Sequence, residues 1–225
     1  MKVLNFEQGS PEWIEARRCK VTGTKLADVM GSSLARLQLI CELIAEKQTE
    51  QTKAFKATAE MERGTAEEEF GRKLFEVIGN KKVNQVGICI SDEFDWLANS
   101  PDGLIGKNNE ESIEIKCPDT KKAVFYKITQ TFEDTGITKS YQPFCGIPAE
   151  YKWQVVSYFL VNENLQKLNF CVYDSRFINE DQKLTVTEVK RENEVLQEAI
   201  NQAKEELIKF RADWLKYEEQ CFSTF

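Results

Sequence analysis

The stretch SPDGLIGKNNEESIEIKCP, residues 100–118, joins a tight Pro-Asp-Gly turn to a short strand that reads Ile-Glu-Ile-Lys. Successive side chains of a strand point to opposite faces of its sheet, so Glu114 and Lys116 share one face. If the turn folds back on the strand, Asp102 meets that charged face. The same alternation also fits an ordinary half-buried strand whose charged face is solvated. The stretch therefore predicts either an active site or a plain strand.

The chain as a whole has the composition of a globular protein. It contains 225 residues, of which 41% are apolar and 30% charged, and this length fits one large domain or two small ones. We expect a single domain over residues 1–225. The sequence contains no apolar run long enough to cross a membrane, and its first residues lack the apolar core of a signal peptide. These features predict a cytoplasmic protein with no membrane partner.

The residue types that the chain lacks exclude several kinds of catalysis and metal binding. The chain has no histidine, which excludes Ser-His-Asp and Cys-His catalysis and histidine-ligated zinc. Its seven cysteines are scattered without C-x-x-C spacing, so neither a zinc site, an iron–sulfur cluster nor a disulfide framework is predicted. Any catalysis therefore falls to carboxylates, lysine, hydroxyls or a metal bound through oxygen. The net charge of −7 argues against broad nonspecific DNA binding but permits a local basic groove.

The pattern of apolar residues predicts helices first, then a three-strand meander, a helix, further strands and a closing helix. Helices are predicted over 13–18, from 22 or 24 to 31, and over 34–48, 63–79, 150–160 and 192–219. Strands are predicted over 85–91, 96–100, 112–117, 168–173 and 184–189. In the fourth helix the expected apolar stripe is Phe70, Leu74, Phe75 and Ile78; residues 119–149 are expected to form a loop with a basic start. This order indicates an α/β or α+β fold in which a mixed central sheet is flanked by helices.

Two carboxylates beside a lysine suit metal-assisted hydrolysis of a phosphodiester. Asp102 and Glu114 supply the hard oxygen ligands that Mg²⁺ prefers, and the backbone carbonyl of Ile115 offers another. Lys116 would orient or deprotonate the attacking water, while the metal activates water and stabilises the leaving oxygen. Taken alone, an E-x-K pair is a weak signal. The preceding Pro-Asp-Gly turn and the lack of other catalytic groups favour the active site.

Five segments, in this order, resemble the PD-(D/E)XK nucleases, and more narrowly the phage lambda exonuclease family of alkaline exonucleases, also called YqaJ-like viral recombinases. The segments are WIEARRCKVTGTKLADVMG, RGTAEEEFGRKLFEVIG, SPDGL with IEIKCP, YKWQVVSYFLV and CVYDSRF. They run from about residue 13 to 177, and their combination is far more specific than any one of them. The resemblance implies a restriction-endonuclease-like core.

The resemblance also implies roles for individual residues around the metal. The metal ligands it implies are Asp102, Glu114, the carbonyl of Ile115 and Glu68. Lys116 matches the catalytic lysine of the family, and Gln154 matches a glutamine expected beside the active site. Glu68 lies in the run Glu67-Glu68-Glu69. The residues alone do not indicate which of the three glutamates is the metal ligand.

A Q-x-x-x-Y pair on the predicted helix 150–160 resembles the pair of RecB-type nuclease domains. Gln154 and Tyr158 are one helical turn apart and therefore share a face. The resemblance implies that Tyr158 is a supporting residue of the site. The residues alone favour a plain helix on which Gln154 is merely exposed and Tyr158 belongs to the core.

Arg17, Thr22 and Thr24 match the region with which the family grips a 5′-phosphate. Arginine presents a planar fork to phosphate oxygens, and hydroxyl and amide groups at a helix N-terminus favour an anion. The same residues also fit a surface arginine and two capping threonines. Helix phase counted from Trp13 favours Arg17 over Arg18 as the phosphate ligand.

The resemblance implies a Mg²⁺-dependent 5′→3′ exonuclease that acts on double-stranded DNA ends, releases 5′-mononucleotides and leaves a 3′ single-stranded overhang. Two Mg²⁺ ions are implied, with Mn²⁺ as a substitute, and so is a homotrimeric ring around the DNA. The implied setting is phage-type recombination in the cytoplasm of a bacterial host, with a phage single-strand annealing protein as partner.

Two alternatives remain at this stage. One is an endonuclease of the same core, of the restriction or Cas4-like type, although the scattered cysteines disfavour the Cas4-like proteins. The other is a catalytically silent DNA-binding or assembly module. The retention of Asp102, Glu114 and Lys116 together argues against the silent module.

Overall fold

The computed structural model describes residues 1–52, 59–131 and 141–222. In chain order its elements are β1 (Lys2–Leu4), α1 (Pro11–Arg17), α2 (Leu26–Val29), α3 (Ser33–Thr49), α4 (Ala59–Gly79), β2 (Ile88–Ile90), β3 (Ala98–Asn99), β4 (Gly103–Ile105), β5 (Glu111–Lys116), α5 (Thr120–Thr131), α6 (Lys152–Val161), β6 (Lys167–Tyr173), β7 (Leu184–Lys190) and α7 (Glu194–Phe222). Short 3₁₀ turns cover Ala149–Tyr151 and Glu180–Gln182. Within the ranges described, every helix is too short or too polar to cross a membrane.

A four-stranded mixed sheet forms the centre of the fold, in the order β4-β5-β6-β7. Strand β5 pairs antiparallel with β4 and parallel with β6, and β6 pairs antiparallel with β7. The parallel pair requires a long crossover, and α5 and α6 lie in it. A smaller antiparallel sheet has the order β1-β2-β3. The mixed sheet with its flanking helices confirms the fold class predicted from the sequence.

The register of the β4–β5 hairpin decides where Asp102 lies. Gly103 is opposite Ile113, so the next position outward brings Asp102 level with Glu114. Strand β5 runs between β4 and β6, and Glu114 on it is only 3% exposed. The turn and the strand of the sequence motif are therefore joined by backbone pairing.

Serine side chains cap the first turns of α1 and α3. Ser10 caps α1 by accepting a hydrogen bond from the backbone of Trp13 at 3.2 Å, and proline occupies the first helical turn. Ser32 caps α3 in the same way, by accepting from Ala35 at 3.2 Å. Side-chain oxygens of this kind satisfy backbone N–H groups that the first helical turn leaves free.

The apolar stripe predicted for α4 is wrong in part. Phe75 is 5% exposed, but Phe70 and Ile78 are 60% and 68% exposed. The helix instead turns the side that carries Gly71 toward the sheet, where a Cβ at Gly71 would lie 3.1 Å from the Tyr173 ring and 3.2 Å from Ile115. Close packing of the helix on the sheet therefore sets its orientation.

Two further predictions about elements need correction, and two strands were missed. The segment expected to be a loop over 119–149 begins with the helix α5, and its residues 132–140 lie outside the described ranges. The second helix is a single turn, α2, because residues 22–25 form turns before it. Strands β1 and β4, each of three residues, were not predicted, since so short a strand carries little alternation.

Candidate active site

Three elements bring the predicted carboxylates and the lysine together. Asp102 stands at the entry to β4, Glu114 and Lys116 lie on β5, and Glu68 lies on α4. Oδ2 of Asp102 accepts a hydrogen bond from the backbone N–H of Ile115 at 2.6 Å. Nζ of Lys116 lies 2.5 Å from Oε1 of Glu114. The shared strand face predicted for Glu114 and Lys116 is thus occupied by an ion pair.

The acidic groups of this cluster disturb one another's titration. Burial raises the pKa of Asp102 well above its ordinary value, and the charges of Glu114 and Glu68 raise it further. Burial, then the charge of Glu114, also raises the pKa of Glu68. Burial alone would lower the pKa of Lys116, but Glu114 and Asp102 outweigh it and the pKa rises. The cluster therefore holds more negative charge than one lysine balances, and a cation would relieve it.

Helix α6 fixes the side chain of Glu114. Nε2 of Gln154 donates to Oε1 of Glu114 at 2.6 Å, and the hydroxyl of Tyr158 donates to Oε2. Tyr158 is 3% exposed. Both members of the Q-x-x-x-Y pair thus converge on one carboxylate, rather than dividing between surface and core. Their place in the reaction stays a prediction.

Geometry separates the three glutamates of the acidic run on α4. Glu67 accepts a hydrogen bond from the Ser175 hydroxyl at 2.7 Å. Glu69 forms an exposed ion pair with Lys73 at 2.5 Å. Glu68 alone of the three has its pKa raised by Glu114, so it is the one that faces the cluster. The sequence pattern could not make this distinction, because the three glutamates point about 100° apart around the helix and the pattern does not show which direction faces the cluster.

A small pocket of about 50 Å³ opens beside Glu114's partners. Its lining includes Arg17, Thr22, Thr24, Ser100 and Gln154. The three residues predicted for phosphate binding therefore lie together, beside Gln154. The pocket holds one basic side chain and several neutral hydrogen-bonding groups, a combination that suits an anion such as phosphate.

Arg17 is held at the pocket by two contacts. Its Nη1 donates to Oγ of Ser100 at 3.1 Å, and its guanidinium lies 4.0 Å from the centre of the Trp13 ring. Burial lowers the pKa of Arg17, against the opposing charge of Glu46. Arg18 instead pairs with Glu15 through two of its nitrogens, the shorter contact being 2.5 Å. Helix phase therefore directs Arg17, and not Arg18, into the pocket.

The hydroxyl of Thr22 is buried, and no hydrogen-bond partner for it exists among the described residues. Its side chain is 3% exposed and lines the pocket. The next residue, Gly23, lies so close to α6 that a Cβ there would come within 2.8 Å of the Ser157 hydroxyl. The tight approach of this loop to α6 brings an unsatisfied donor to the pocket, where a bound oxyanion would satisfy it.

Ser100, which lines the pocket, and Trp13, which contacts Ser100 and Arg17, were missed as functional candidates. Ser100 accepts hydrogen bonds from both Arg17 and Nε1 of Trp13, the second at 3.0 Å. Trp13 also donates to the carbonyl of Gly87 at 3.0 Å, which anchors α1 on the small sheet. The sequence feature that could have indicated Ser100 is its position directly before the Pro-Asp turn.

A much larger cleft, of about 480 Å³, is lined in part by Asp102. Its lining includes Glu68, Arg72, Gln85 and Gln8 as well as Asp102. The side chain of Gln8 ties the cleft wall together by donating to the carbonyls of Val86 and Pro101 at 3.1 and 3.0 Å. The carboxylate cluster therefore stands between a small pocket and a large cleft.

The donor chemistry of the cluster fits a hard divalent cation, because oxygen ligands surround an excess of negative charge. Across residues 1–52, 59–131 and 141–222, no three acidic or thiol groups converge with the spacing of a metal site. Both oxygens of Glu114 are engaged, by Lys116, Gln154 and Tyr158.

The fold and the site define this chain as a protein with the alkaline exonuclease fold. The chain belongs to the YqaJ-like viral recombinase domain family, whose sequence profile matches residues 12–165. No curated protein sequence matches it.

Solved structures agree with this assignment. An alkaline exonuclease from Laribacter hongkongensis, LHK-Exo, is 26% identical with a TM-score of 0.75, over 94% of this chain and 95% of that one. LHK-Exo in complex with dAMP gives 26% identity and a TM-score of 0.72, over 94% and 97% of the chains. A phage-related exonuclease from Haemophilus somnus, 17% identical with a TM-score of 0.55, shares the fold over 86% of this chain and 96% of its own.

Proposed function

We propose that this chain is a Mg²⁺-dependent exonuclease that degrades one strand of double-stranded DNA from its 5′ end. The observation that carries the proposal is a pocket that Arg17 and Ser100 line and whose Gln154 and Tyr158 contact Glu114 of the carboxylate cluster. A terminal phosphate held in this pocket would present the next phosphodiester to the cluster. Membership of the viral recombinase family and the likeness to an alkaline exonuclease support the same activity.

The spacing of Ser100 and Asp102 favours release of single nucleotides. They are two residues apart, so their Cα atoms lie at most about 7.6 Å from each other. One nucleotide of a DNA strand bridges a distance of this order. A 5′-phosphate that contacts Arg17 and Ser100 would therefore place the first internal phosphodiester at Asp102, and cleavage there yields a 5′-mononucleotide and a 3′ overhang on the other strand.

Each residue of the cluster has a role in this proposal. Asp102, Glu114, Glu68 and the carbonyl of Ile115 would hold Mg²⁺, as two ions or with Mn²⁺ in its place. When bound, the metal activates water and stabilises the leaving oxygen. Lys116 positions the attacking water and offsets the negative charge that develops on the phosphate. Gln154 and Tyr158 hold Glu114 in place.

The wider setting is proposed on the resemblance of the sequence. One domain would span residues 1–225, and three copies would form a ring that encloses the DNA, in the cytoplasm of a bacterial host. A ring holds DNA topologically, which reconciles nuclease action with a net charge of −7. A phage single-strand annealing protein would take up the exposed 3′ strand. Light scattering of the purified protein tests the trimer directly.

The test of the activity compares wild type with Lys116→Ala on linear duplex DNA in Mg²⁺. We expect wild type to remove one strand, faster from 5′-phosphate than from 5′-hydroxyl ends, and Lys116→Ala to be inactive. Lys107→Ala is the matched control, because Lys107 is an exposed lysine in the turn of the same β4–β5 hairpin and its loss should leave the rate unchanged.

Other outcomes separate the alternatives. Cutting of a covalently closed plasmid would indicate an endonuclease of the same core. Failure of wild type to cleave any substrate in Mg²⁺ or Mn²⁺, with DNA binding retained, would favour the catalytically silent binding module. Equal activity of Lys116→Ala and wild type would remove Lys116 from the mechanism.

A further inference from the structure

The large cleft beside Asp102 contains a positive charge that the proposed mechanism does not use. Among the described residues that line this cleft, Arg72 is the basic one, facing Glu68, Glu69 and Asp102. Arg72 follows Glu68 by one turn of α4, and its charge lowers the pKa of Glu68 against the larger effect of burial. An arginine in so acidic a cleft either balances the carboxylates or binds an anion that enters the cleft.

The contacts of Arg72 favour the second role. Both of its terminal nitrogens donate to the side-chain oxygen of Gln85 at 3.0 Å, with the amide oriented so that its oxygen faces the guanidinium. Within the part of the chain that the structure describes, no carboxylate lies at ion-pair distance from Arg72. A guanidinium carries five N–H donors. Gln85 therefore orients the group without neutralising it, and donors remain for an anion.

The position of the cleft indicates which anion this is. With a 5′-phosphate at Arg17 and the scissile phosphodiester at Asp102, the strand must continue past the carboxylates on the side away from the small pocket. We assign this path to the cleft of about 480 Å³, which Asp102 lines and which has no lining residue in common with the small pocket among the described residues. The cleft is large enough for a nucleotide. Its acidic walls repel phosphate, so passage of the strand requires a cation there.

We propose that Arg72, oriented by Gln85, binds the first phosphate on the 3′ side of the scissile bond. This inference rests on the proposed exonuclease function and adds a second phosphate site to it. Arg17 holds the end of the strand, and Arg72 holds the strand beyond the cut. The two arginines fix the scissile phosphodiester from both sides, which aligns it with the attacking water.

The test removes the charge of the DNA phosphate and the charge of Arg72, each separately and both together. A short 5′-phosphorylated duplex is synthesised with an uncharged methylphosphonate in place of the first phosphate 3′ of the scissile bond. Its first cleavage is measured in a single turnover, for wild type and for Arg72→Gln. We expect the methylphosphonate to slow wild type by about 10- to 100-fold, the range for a hydrogen bond to a charged group, and to have little further effect on Arg72→Gln.

Controls fix the interpretation. Arg72→Lys keeps the positive charge but loses the planar guanidinium. Its sensitivity to the methylphosphonate should lie between that of wild type and that of Arg72→Gln. Lys209→Gln removes an exposed cation from α7 and should retain the full sensitivity of wild type to the methylphosphonate. Thermal unfolding of Arg72→Gln checks that the fold is intact.

Two results would overturn the inference while leaving the nuclease in place. One is an Arg72→Gln variant that is slowed by the methylphosphonate as strongly as wild type. The other is an Arg72→Gln variant that is equally impaired on a 5′-phosphorylated dinucleotide, which has no phosphate beyond the cut, because Arg72 would then act on Glu68. Failure of wild type to cleave even the unmodified duplex would instead count against the proposed function itself.

Discussion

The small pocket borders the carboxylate cluster through Gln154 and Tyr158, which bind Glu114, whereas Glu68 and Asp102 line the large cleft directly. The two cavities are built from opposite chemistry. The pocket surrounds Arg17 with neutral groups, including the hydroxyls of Ser100 and Thr22. The cleft surrounds Arg72 with acidic groups, among them Glu68 and Asp102. The first arrangement attracts an anion before any metal is bound, whereas the second repels one until a cation is present.

This difference teaches that the site divides binding from chemistry. In the proposed function, recognition of a strand end needs only hydrogen-bond donors and one positive charge, which α1 and the loop after it would supply. The proposed cleavage needs a metal, and the fold buries carboxylates there, so that burial and the charge of Glu114 raise the pKa of Asp102 and of Glu68. Substitutions in the small pocket and in the large cleft should therefore have different effects on activity and on stability.

The largest expected effect is that of Asp102→Asn, which removes a carboxylate from the large cleft. Activity should fall by roughly 100- to 1,000-fold, the cost of losing a charge-stabilising group at a reacting centre. The metal-free protein should become more stable by about 1–3 kcal/mol at neutral pH, since an uncompensated buried charge is removed. Chemical denaturation in EDTA, beside a nuclease assay, measures both.

The same substitution predicts a pH dependence. The folded pKa of Asp102 lies above its unfolded value, so folding favours the protonated carboxyl. Stability of the metal-free wild type should therefore decline as pH rises from the ordinary value of 3.8 through the folded pKa, and Asp102→Asn should flatten that decline. A decline of equal slope in both proteins would mean that another group is responsible.

The next effect, on the pocket side, comes from Arg17→Gln. We expect the preference for 5′-phosphate over 5′-hydroxyl ends to shrink by about 10- to 100-fold, because a charged hydrogen bond to the phosphate is lost. Arg18→Gln is the matched control, since Arg18 pairs with Glu15 at the surface and should keep the full preference. Rates on paired substrates that differ only at the 5′ end provide the measurement, and an equal loss in both variants would refute the assignment.

Tyr158→Phe changes a residue that lines the small pocket and contacts the carboxylate cluster. It removes one hydrogen bond to Glu114 and keeps the ring in the core. Because partners of a metal ligand orient it, activity should fall by about 10-fold and the Mg²⁺ requirement should rise. A Mg²⁺ titration of the rate tests this. An unchanged titration with a lower melting temperature would assign Tyr158 to the core alone.

The smallest expected effect is that of Thr22→Val. The free protein should be unchanged or more stable by up to about 1 kcal/mol, because a buried hydroxyl without a partner is replaced by a methyl group. Cleavage of 5′-phosphorylated ends should slow about threefold, the low end for a neutral hydrogen bond, while 5′-hydroxyl ends should be cut as before. A loss of stability would show that the hydroxyl has a partner in the free protein.

Sequence patterns predicted the parts of the site that local geometry controls. Glu114 and Lys116 share a strand face because side chains alternate, and the structure places them 2.5 Å apart. Arg17 was favoured over Arg18 by helix phase, and only Arg17 reaches the pocket. The overall fold class followed from the order of helices and strands.

Hydrophobic periodicity failed on α4 for a physical reason. Its apolar residues Phe70 and Ile78 are exposed, while its packed side carries Glu68, Gly71 and Phe75. A helix that delivers a charged residue to a buried site must turn part of a polar face inward. The period of the apolar residues then describes the wrong side of the helix.

By itself, the sequence determined what depends on neighbours along the chain: the strand alternation of Glu114 and Lys116, the caps of the first helices and the turn that carries Asp102. Only the tertiary structure decided which of three consecutive glutamates faces the cluster, that Ser100 joins Arg17, and that Arg72 stands across the cleft. These residues come from segments that are far apart in sequence. Their meeting depends on how helices pack on the sheet, which close packing of the whole core sets and no local pattern records.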